Sequence, residues 1–303
     1  MRLDLVTIGD LNIDTLLQLP HFPGEDDEVP IVKKEQFAGG DAANIAVAAS
    51  RLGLHTALIA SIGKDTDGRS LLKGLVRERV NTNGVQIHAG ESTGTVISMV
   101  RKDGQRSMLS YRGANQLLSI GMEQAALIQR SRAIHLSDPL PRIIHPFIEA
   151  VGPGDPLISF DPGSITAARG LKAVLPLLRK TKIFLANKAE YTLLTGKRKL
   201  TDAVDEIRSI GPQIAVVKLG RKGCAVFTER EYLSVPAYKV KAIDSTGAGD
   251  AFDAAFLTGV LEEMPLSETA QFANAVGALA TTRIGAQIGL PTRVQVQELL
   301  SGK

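Results

Sequence analysis

The chain has 303 residues, 44% of them hydrophobic, with a net charge of +3, a single cysteine and no tryptophan. That length and apolar content can bury a large core, read as one main domain with a small appendage. Dispersed lysines and arginines with no aromatic-interleaved basic run argue against nucleic-acid binding, lone Cys224 excludes an intramolecular disulfide, and no apolar segment is long enough to span a bilayer.

In chain order, residues 5–9 form an apolar run ending at Asp10, the pattern of a strand buried on both faces. Asp4 and Asp10 interrupt that run, so no signal peptide is read and a cytoplasmic protein is expected. Residues 12–36 break the pattern, with Pro20, Pro23, Gly24 and Pro30 among short alternating segments such as 28–32. A small-residue helix follows Gly39-Gly40 and ends at Gly53. Strand 56–60 and helix 67–78 come next. Residues 92–112 read as a hairpin, with strands 95–101 and 106–111 around Lys102-Asp103-Gly104. Apolar runs at 133–136, 157–160, 182–186 and 214–217 are further buried strands, separated by helices such as 170–179 and 202–209. Cys224 sits in an apolar stretch as a small buried hydrophobe. Strand–helix alternation predicts a parallel sheet covered on both faces. The residues after its strands are Asp10, Ser61, Ser137, Asp138, Asp161, Asn187 and Gly220, and they are expected to line one crevice at the carboxyl ends.

Two glycine clusters carry the chemistry. Asp244-Ser245-Thr246-Gly247-Ala248-Gly249-Asp250 precedes a helix over 251–259. Its small residues let backbone N–H groups converge on an anion at a helix N-terminus, beside a carboxylate suited to removing a hydroxyl proton. The other reading of that loop is an ordinary aspartate helix cap. Near the N-terminus, Gly39-Gly40 permits close approach of a ligand and Asn44 offers an amide that can both donate to and accept from a polyol; taken alone, the cluster reads better as tight helix packing with a polar residue near the cap.

The two clusters together resemble the paired signatures of the ribokinase-like (PfkB) carbohydrate kinase family: Gly-Gly followed by Asn, then D-T-x-G-x-G-D, here with Ser245 at the second position. The resemblance covers nearly the whole chain. It implies a ribokinase-like three-layer α/β/α sandwich, α/β in class, with a mostly parallel central sheet and a small β-strand lid. The core would comprise residues 1–11, 38–91 and 113–303, and the lid 12–37 and 92–112. Asn12, Asp14, Gly39, Gly40, Asn44 and Asp138 match sugar contacts. Arg112 would reach the site from the lid or serve as a structural lid residue. Asp41 departs from the ribokinase branch, which commonly has Lys there, and so puts ribose specificity in doubt.

On the nucleotide side, the resemblance implies that Asn187 and Glu190 organise Mg²⁺, the alternative being a capped helix. Lys218, Gly220 and Gly223 would lie near the ATP phosphates and ribose, and Asn274 near the adenine. A K⁺ site would involve Asp244, Thr246 and Gly285, although Gly289 stands where a serine often follows. The implied reaction is in-line transfer from ATP to a hydroxyl, with Asp250 as base and the N–H groups of Gly247, Ala248 and Gly249 stabilising charge. A sugar or nucleoside is the expected partner, with a second copy of the chain joined through the lid. Nucleoside kinases need a platform for the base, for which Phe22, Phe37 and Met108 are the candidates. A silent ribokinase-like binding module is the third reading, opposed by retention of Asp250. No Walker A, H-E-x-x-H, G-x-S-x-G, Cys-x-x-Cys or G-x-G-x-x-G pattern is present in the required context.

Overall fold

The computed structural model describes residues 2–152 and 156–302. Strand β1 (Leu3–Ile8) is buried except at Asp4 and opens the main sheet. The chain then leaves that sheet to form β2 (Asn12–Leu19) and β3 (Lys33–Gly39), an antiparallel pair with Asn12 opposite Gly39. Segment 28–32 carries no strand despite its alternation. Pro30 has no N–H to give a ladder, and the first backbone bond to β2 comes from the Val32 amide, to the Gln18 carbonyl at 2.9 Å. Helix α1 (Asp41–Arg51) is buried from Ala42 to Ala49, its alanines allowing it to sit close against β1. Strand β4 (Thr56–Ile59) returns beside β1, whereas β5 (Ser61–Gly63) and β6 (Gln86–His88) make a separate parallel pair around α2 (Thr66–Arg77). The expected hairpin is β7 (Gly94–Arg101) and β8 (Arg106–Tyr111), and β7 lies parallel to β2. The second sheet therefore has the order β3-β2-β7-β8.

Alternation then takes over through α3 (Met122–Gln129), β9 (Ser131–Ser137), α4 (Pro141–Val151), β10 (Leu157–Asp161), α5 (Gly163–Ala167) and α6 (Leu171–Leu178). It continues through β11 (Ile183–Asn187), α7 (Lys188–Thr195), α8 (Leu200–Ile210) and β12 (Ile214–Lys218). Strands β13 (Cys224–Phe227) and β14 (Tyr232–Val235) turn back antiparallel, and α9 (Ala248–Leu261), α10 (Leu266–Ala280) and α11 (Arg293–Leu300) complete the described chain.

The main sheet has eight strands in the order β14-β13-β12-β11-β10-β9-β1-β4, and those from β12 to β4 run parallel. Side chains alternate across it. Leu5, Ile183 and Leu185 join the core shared with α1, α9 and α10, while Val6, Phe184 and Ala186 join the core under α3, α4, α7 and α8. Apolar side chains on both faces are the reason these strands read as continuous apolar runs. The result is a three-layer α/β/α fold. From β1 the chain first moves outward to β4 and later resumes on the other side at β9, so the order reverses between β1 and β9. A crevice opens at such a switch point, outside the carboxyl ends. Among the described residues no helix is long and apolar enough to cross a membrane.

Helix α9 is central to one core layer and crosses α10 closely. A Cβ at Gly259 would lie 2.9 Å from the side chain of Thr269, so glycine is what permits the approach. Gly259→Leu is expected to lower stability by about 1–3 kcal/mol through overpacking, read as a lower midpoint in urea.

Candidate active site

Two helix N-termini meet over the switch point. Helix α1 begins after Gly40, whose φ is +98° and where a Cβ would lie 2.4 Å from the Asp10 carbonyl oxygen. Only glycine fits that approach without strain. Helix α9 begins after Gly247 (φ +76°), with Ala286 packed so that a Cβ on Gly247 would lie 2.9 Å from its methyl. The two first turns are joined by one hydrogen bond, Asn44 Nδ2 to Asp250 Oδ2, at 2.8 Å. Asn44 Oδ1 is buried and has no partner, so it can accept a hydrogen bond from a ligand hydroxyl. Burial pushes the Asp250 carboxyl up to about 6, while the Asn44 bond and the Lys218 charge oppose the rise. Of the loop's expected anion-binding groups, the Ala248 N–H already makes a 3.3 Å turn bond to the Ser245 carbonyl.

Asp244 holds the loop. Its Oδ1 accepts from the Thr246 amide at 3.0 Å and hydroxyl at 2.7 Å, and its Oδ2 accepts from the Gly285 amide at 2.9 Å. Burial works against its charge, yet these donors keep the carboxyl below its usual range. Arg51 secures the segment after Gly285 by donating to the Gln287 and Leu290 carbonyls at 2.9 and 2.6 Å. The absence of a serine at 289 has a steric reason: a Cβ on Gly289 would lie 2.2 Å from the Ala280 carbonyl oxygen.

The facing wall comes from β1, β9 and the second sheet. Arg112 forms an ion pair with Asp138, and its Nε lies 3.8 Å from Asp10. The arginine thus bridges the two strands flanking the switch point. Asp138 has φ +42° and accepts from the Thr166 amide at 2.9 Å. Burial pushes Asp10 up to about 6 against the pull of Arg112. Asn12 Oδ1 accepts from Asn115 Nδ2 at 2.7 Å, and Asn115 also bonds both backbone groups of Leu11. Gly94 makes room for this pair, since a Cβ there would lie 2.3 Å from Asn12 Oδ1. Gly39 does the same for Asp14, with a Cβ 2.2 Å from its carboxylate. Burial, followed by the charges of Asp250 and Asp244, lifts Asp14 to about 7. Asp41 is exposed at the first turn of α1. The Asp250 charge first, then enclosure by the crevice and Asp161, Asp138 and Asp10, push it well above the carboxylate range. Solvent at the mouth tempers that shift.

Deeper in, Lys218 Nζ donates to Asp161 Oδ2 at 2.5 Å and to Asp253 Oδ2 at 2.9 Å. It lies under the loop, 3.5 Å from where a Gly249 Cβ would be. Burial disfavours the Asp161 carboxylate, yet Lys218, Asp253 and the Gly163 amide hold it below its usual range. Burial drives Asp253 well above that range. Asn187 and Glu190 form a reciprocal cap on α7: the Asn187 amide donates to Glu190 Oε2 at 2.7 Å, and the Glu190 amide donates to Asn187 Oδ1 at 3.0 Å. Burial and the Asp161 charge raise Glu190 to about 7.

Not every expected residue joins the crevice. Ser61 is spent elsewhere, within 3.2 Å of Gln86 Oε1 and 3.3 Å of His88 Nε2 in the small β5–β6 pair. Gly220 (φ +57°) is exposed in a turn after β12. Gly223 is required by chain packing, because a Cβ there would lie 2.0 Å from the Val235 carbonyl oxygen. Asn274 is buried, and its Nδ2 donates to the Val235 and Pro236 carbonyls at 3.0 and 3.1 Å. Cys224 is buried, and burial pushes its thiol up to about 12. Asp253 and Asn115 were missed by sequence reasoning. A lone aspartate inside the apolar run of α9 was the available signal for the first; Asn115 had none.

The model of the pfkB family carbohydrate kinases matches residues 2–293. An uncharacterized sugar kinase of Archaeoglobus fulgidus is 34% identical over 256 residues, which span 81% of this chain and 98% of that one. A nucleoside kinase of Methanothermobacter thermautotrophicus is 28% identical over 291 residues, spanning 95% and 92%. The solved structure of Arabidopsis thaliana ribokinase complexed with ribose and ATP superposes with a TM-score of 0.88 at 26% identity, covering 99% of each chain. The chain belongs to the pfkB family of carbohydrate kinases, phosphotransferases that act on sugar hydroxyls.

Proposed function

We propose that the enzyme transfers the γ-phosphoryl group of ATP to a hydroxyl of a neutral sugar or sugar-like molecule, with Asp250 as the base. The observation that carries this reading is the 2.8 Å bond from Asn44 to Asp250, which leaves Asp250 Oδ1 for the acceptor hydroxyl and Asn44 Oδ1 for a neighbouring one. With a carboxyl near 6, Asp250 is ionised at neutral pH yet basic enough to take a proton as the oxygen attacks. The N–H groups at the start of α9 have no intrahelical partners and face the departing phosphates, with Gly247 and Gly249 leaving them uncovered. Asn12, Asp14, Gly39, Gly40 and Asp138 orient the acceptor, and Arg112 fixes the wall behind it.

ATP lies on the β12 side, where Lys218 sits under the loop and the exposed Gly220 leaves the edge open, while Gly223 and Asn274 act from behind by holding the chain at Val235. Asn187 and Glu190 fit Mg²⁺ through water, because Glu190 keeps one oxygen outside the cap and its charge is poorly compensated. Mg²⁺ there would neutralise phosphate charge during transfer. K⁺ would sit by Asp244, Thr246 and Gly285, which the structure brings together. The second sheet acts as a lid that excludes water from the acceptor. A homodimer through that lid accounts for the apolar exposure of Met108, Leu109 and Tyr111 along β8, and the free thiol fits a cytoplasmic setting.

A nucleoside acceptor is the second reading, favoured by the similarity to a nucleoside kinase. Against it, Phe37 packs on Gly285 and Phe22 lies under Arg101, which leaves Met108 as the uncommitted candidate platform. The carboxylates of Asp10, Asp14, Asp41, Asp138 and Asp250 outnumber the Arg112 guanidinium in this half of the crevice, which disfavours anionic acceptors.

ADP release with Mg-ATP across neutral sugars, polyols, nucleosides, phosphosugars and sugar acids tests the assignment. A neutral sugar or polyol is expected to turn over with the highest kcat/KM. Preference for a nucleoside would establish the second reading, and preference for a phosphosugar or sugar acid would refute the charge argument. On the best acceptor, kcat/KM is expected to rise with pH through an acid limb near 6, as Asp250 loses its proton. Asn44→Leu removes a bond that favours the ionised form, so the limb should move to higher pH.

A further inference from the structure

One cavity lies well away from the candidate active-site crevice. It holds about 350 Å³ and lies at the opposite, amino-terminal edge of the main sheet, where Leu3 opens β1, Thr56 opens β4 and Arg130 precedes β9. Six residues of β1 separate its two ends, so the cavity lies about 20 Å from the crevice.

Its lining is cationic and rich in donors. Arg2, Arg79 and Arg130 all contribute, and no lining residue carries a carboxylate. Among the described residues none of these three arginines pairs with an acid. Arg130 donates only to the Ala126 carbonyl of its own helix, at 3.0 Å. The nearby Asp4 is already engaged, by Arg132 at 3.0 Å and His55 at 3.1 Å. Thr56 also lines the cavity; it is 2% exposed, and its Oγ1 is buried with no hydrogen-bond partner. A buried hydroxyl without a partner is uncommon enough to point to a ligand atom.

Arg79 adds a second oddity. It follows α2 with φ +61°, and the Val80 amide bonds back to the Leu75 carbonyl at 3.0 Å, closing the turn that ends the helix. Glycine is the usual residue in that left-handed position. Here an arginine occupies it, and that arginine lines the cavity. An adjoining hollow of about 340 Å³ shares Asn83 and Arg130 and adds Glu123, a group that can accept from hydroxyls.

We infer that this cavity is a second ligand site, one that takes a small phosphate monoester, with Arg79, Arg130 and Arg2 on the phosphate, Thr56 donating to it, and the polar remainder extending towards Glu123. Guanidinium forks match phosphate oxygens in geometry and charge, and a volume near 350 Å³ falls within the range of small-molecule pockets. The inference is independent of which acceptor the kinase uses.

The test is calorimetric titration of the full chain with ribose 5-phosphate as probe, the crevice being first saturated with a non-hydrolysable ATP analogue. Binding is expected, and Arg79→Gly with Arg130→Gln should weaken it by at least about tenfold. Arg79→Gly alone should weaken binding while leaving the thermal midpoint at or above that of the parent, because glycine suits the turn better, so loss of binding is separable from loss of fold. No binding by the parent, or equal binding by the double variant, overturns the site. Parallel titrations with a short oligonucleotide and with anionic phospholipid vesicles separate other phosphate sources. Arginine-dependent binding to either of these without binding of ribose 5-phosphate overturns the assignment to a small monoester.

Discussion

The site depends on one hydrogen bond, from Asn44 to Asp250, because it ties the first turns of two helices that are 206 positions apart in sequence. Each helix brings unpaired N–H groups and a positive dipole end to the same point, which favours anions there. The bond also sets the chemistry of Asp250: it holds the carboxylate in one rotamer and favours its ionised form against burial. Gly40 and Gly247 are what allow the helices to start so near, one against the Asp10 carbonyl and the other against Ala286. Remove the bond and the two turns have no other side-chain hydrogen bond between them among the described residues.

Beneath them, Lys218 with Asp161 and Asp253 forms a buried polar triad joining β12, β10 and α9, with Asp161 as the charge partner of the lysine. Buried ion pairs contribute little net stability, since desolvation offsets the attraction. Positioning is the better account of this one. Asp253 lies one helical turn beyond Asp250, so the lysine holds the face of α9 that carries Asp250. It also places a cation under the loop where phosphate charge would develop. Asp244 plays the matching part from above by gathering the Thr246 and Gly285 amides. The loop is therefore gripped on both sides, as a preorganised anion site requires.

How far the molecule was legible depended on the range of each interaction. The buried parallel strands were read correctly from β1 to β12 because burial on both faces removes polar residues from them. The β7–β8 hairpin was equally plain, its turn being written in Lys102-Asp103-Gly104. Segment 28–32 shows the limit of alternation, since a proline inside it removes the donor that pairing needs. Ser61 shows the limit of strand-end reasoning: it follows β4, the edge strand, and turns into a different small sheet. The Lys218 triad could not be read at all, because its partners lie 57 and 35 positions away. Asn115, 104 positions from Leu11, was hidden for the same reason. Gly223 was expected near the nucleotide, and Gly289 stands where a serine often follows; at both, a neighbouring backbone carbonyl supplies a need for glycine that no sequence pattern displays.

The central claim is that Asp250 is the base, and the most direct measurement is single-turnover phosphoryl transfer by Asp250→Asn, with nucleotide binding determined on the same preparation. The substitution keeps the size of the side chain and its place at the start of α9. The account expects ATP to bind as in the parent and transfer to slow by about 10²–10⁴-fold, the usual worth of a general base. Transfer within a few-fold of the parent, with the fold and nucleotide binding intact, would contradict it.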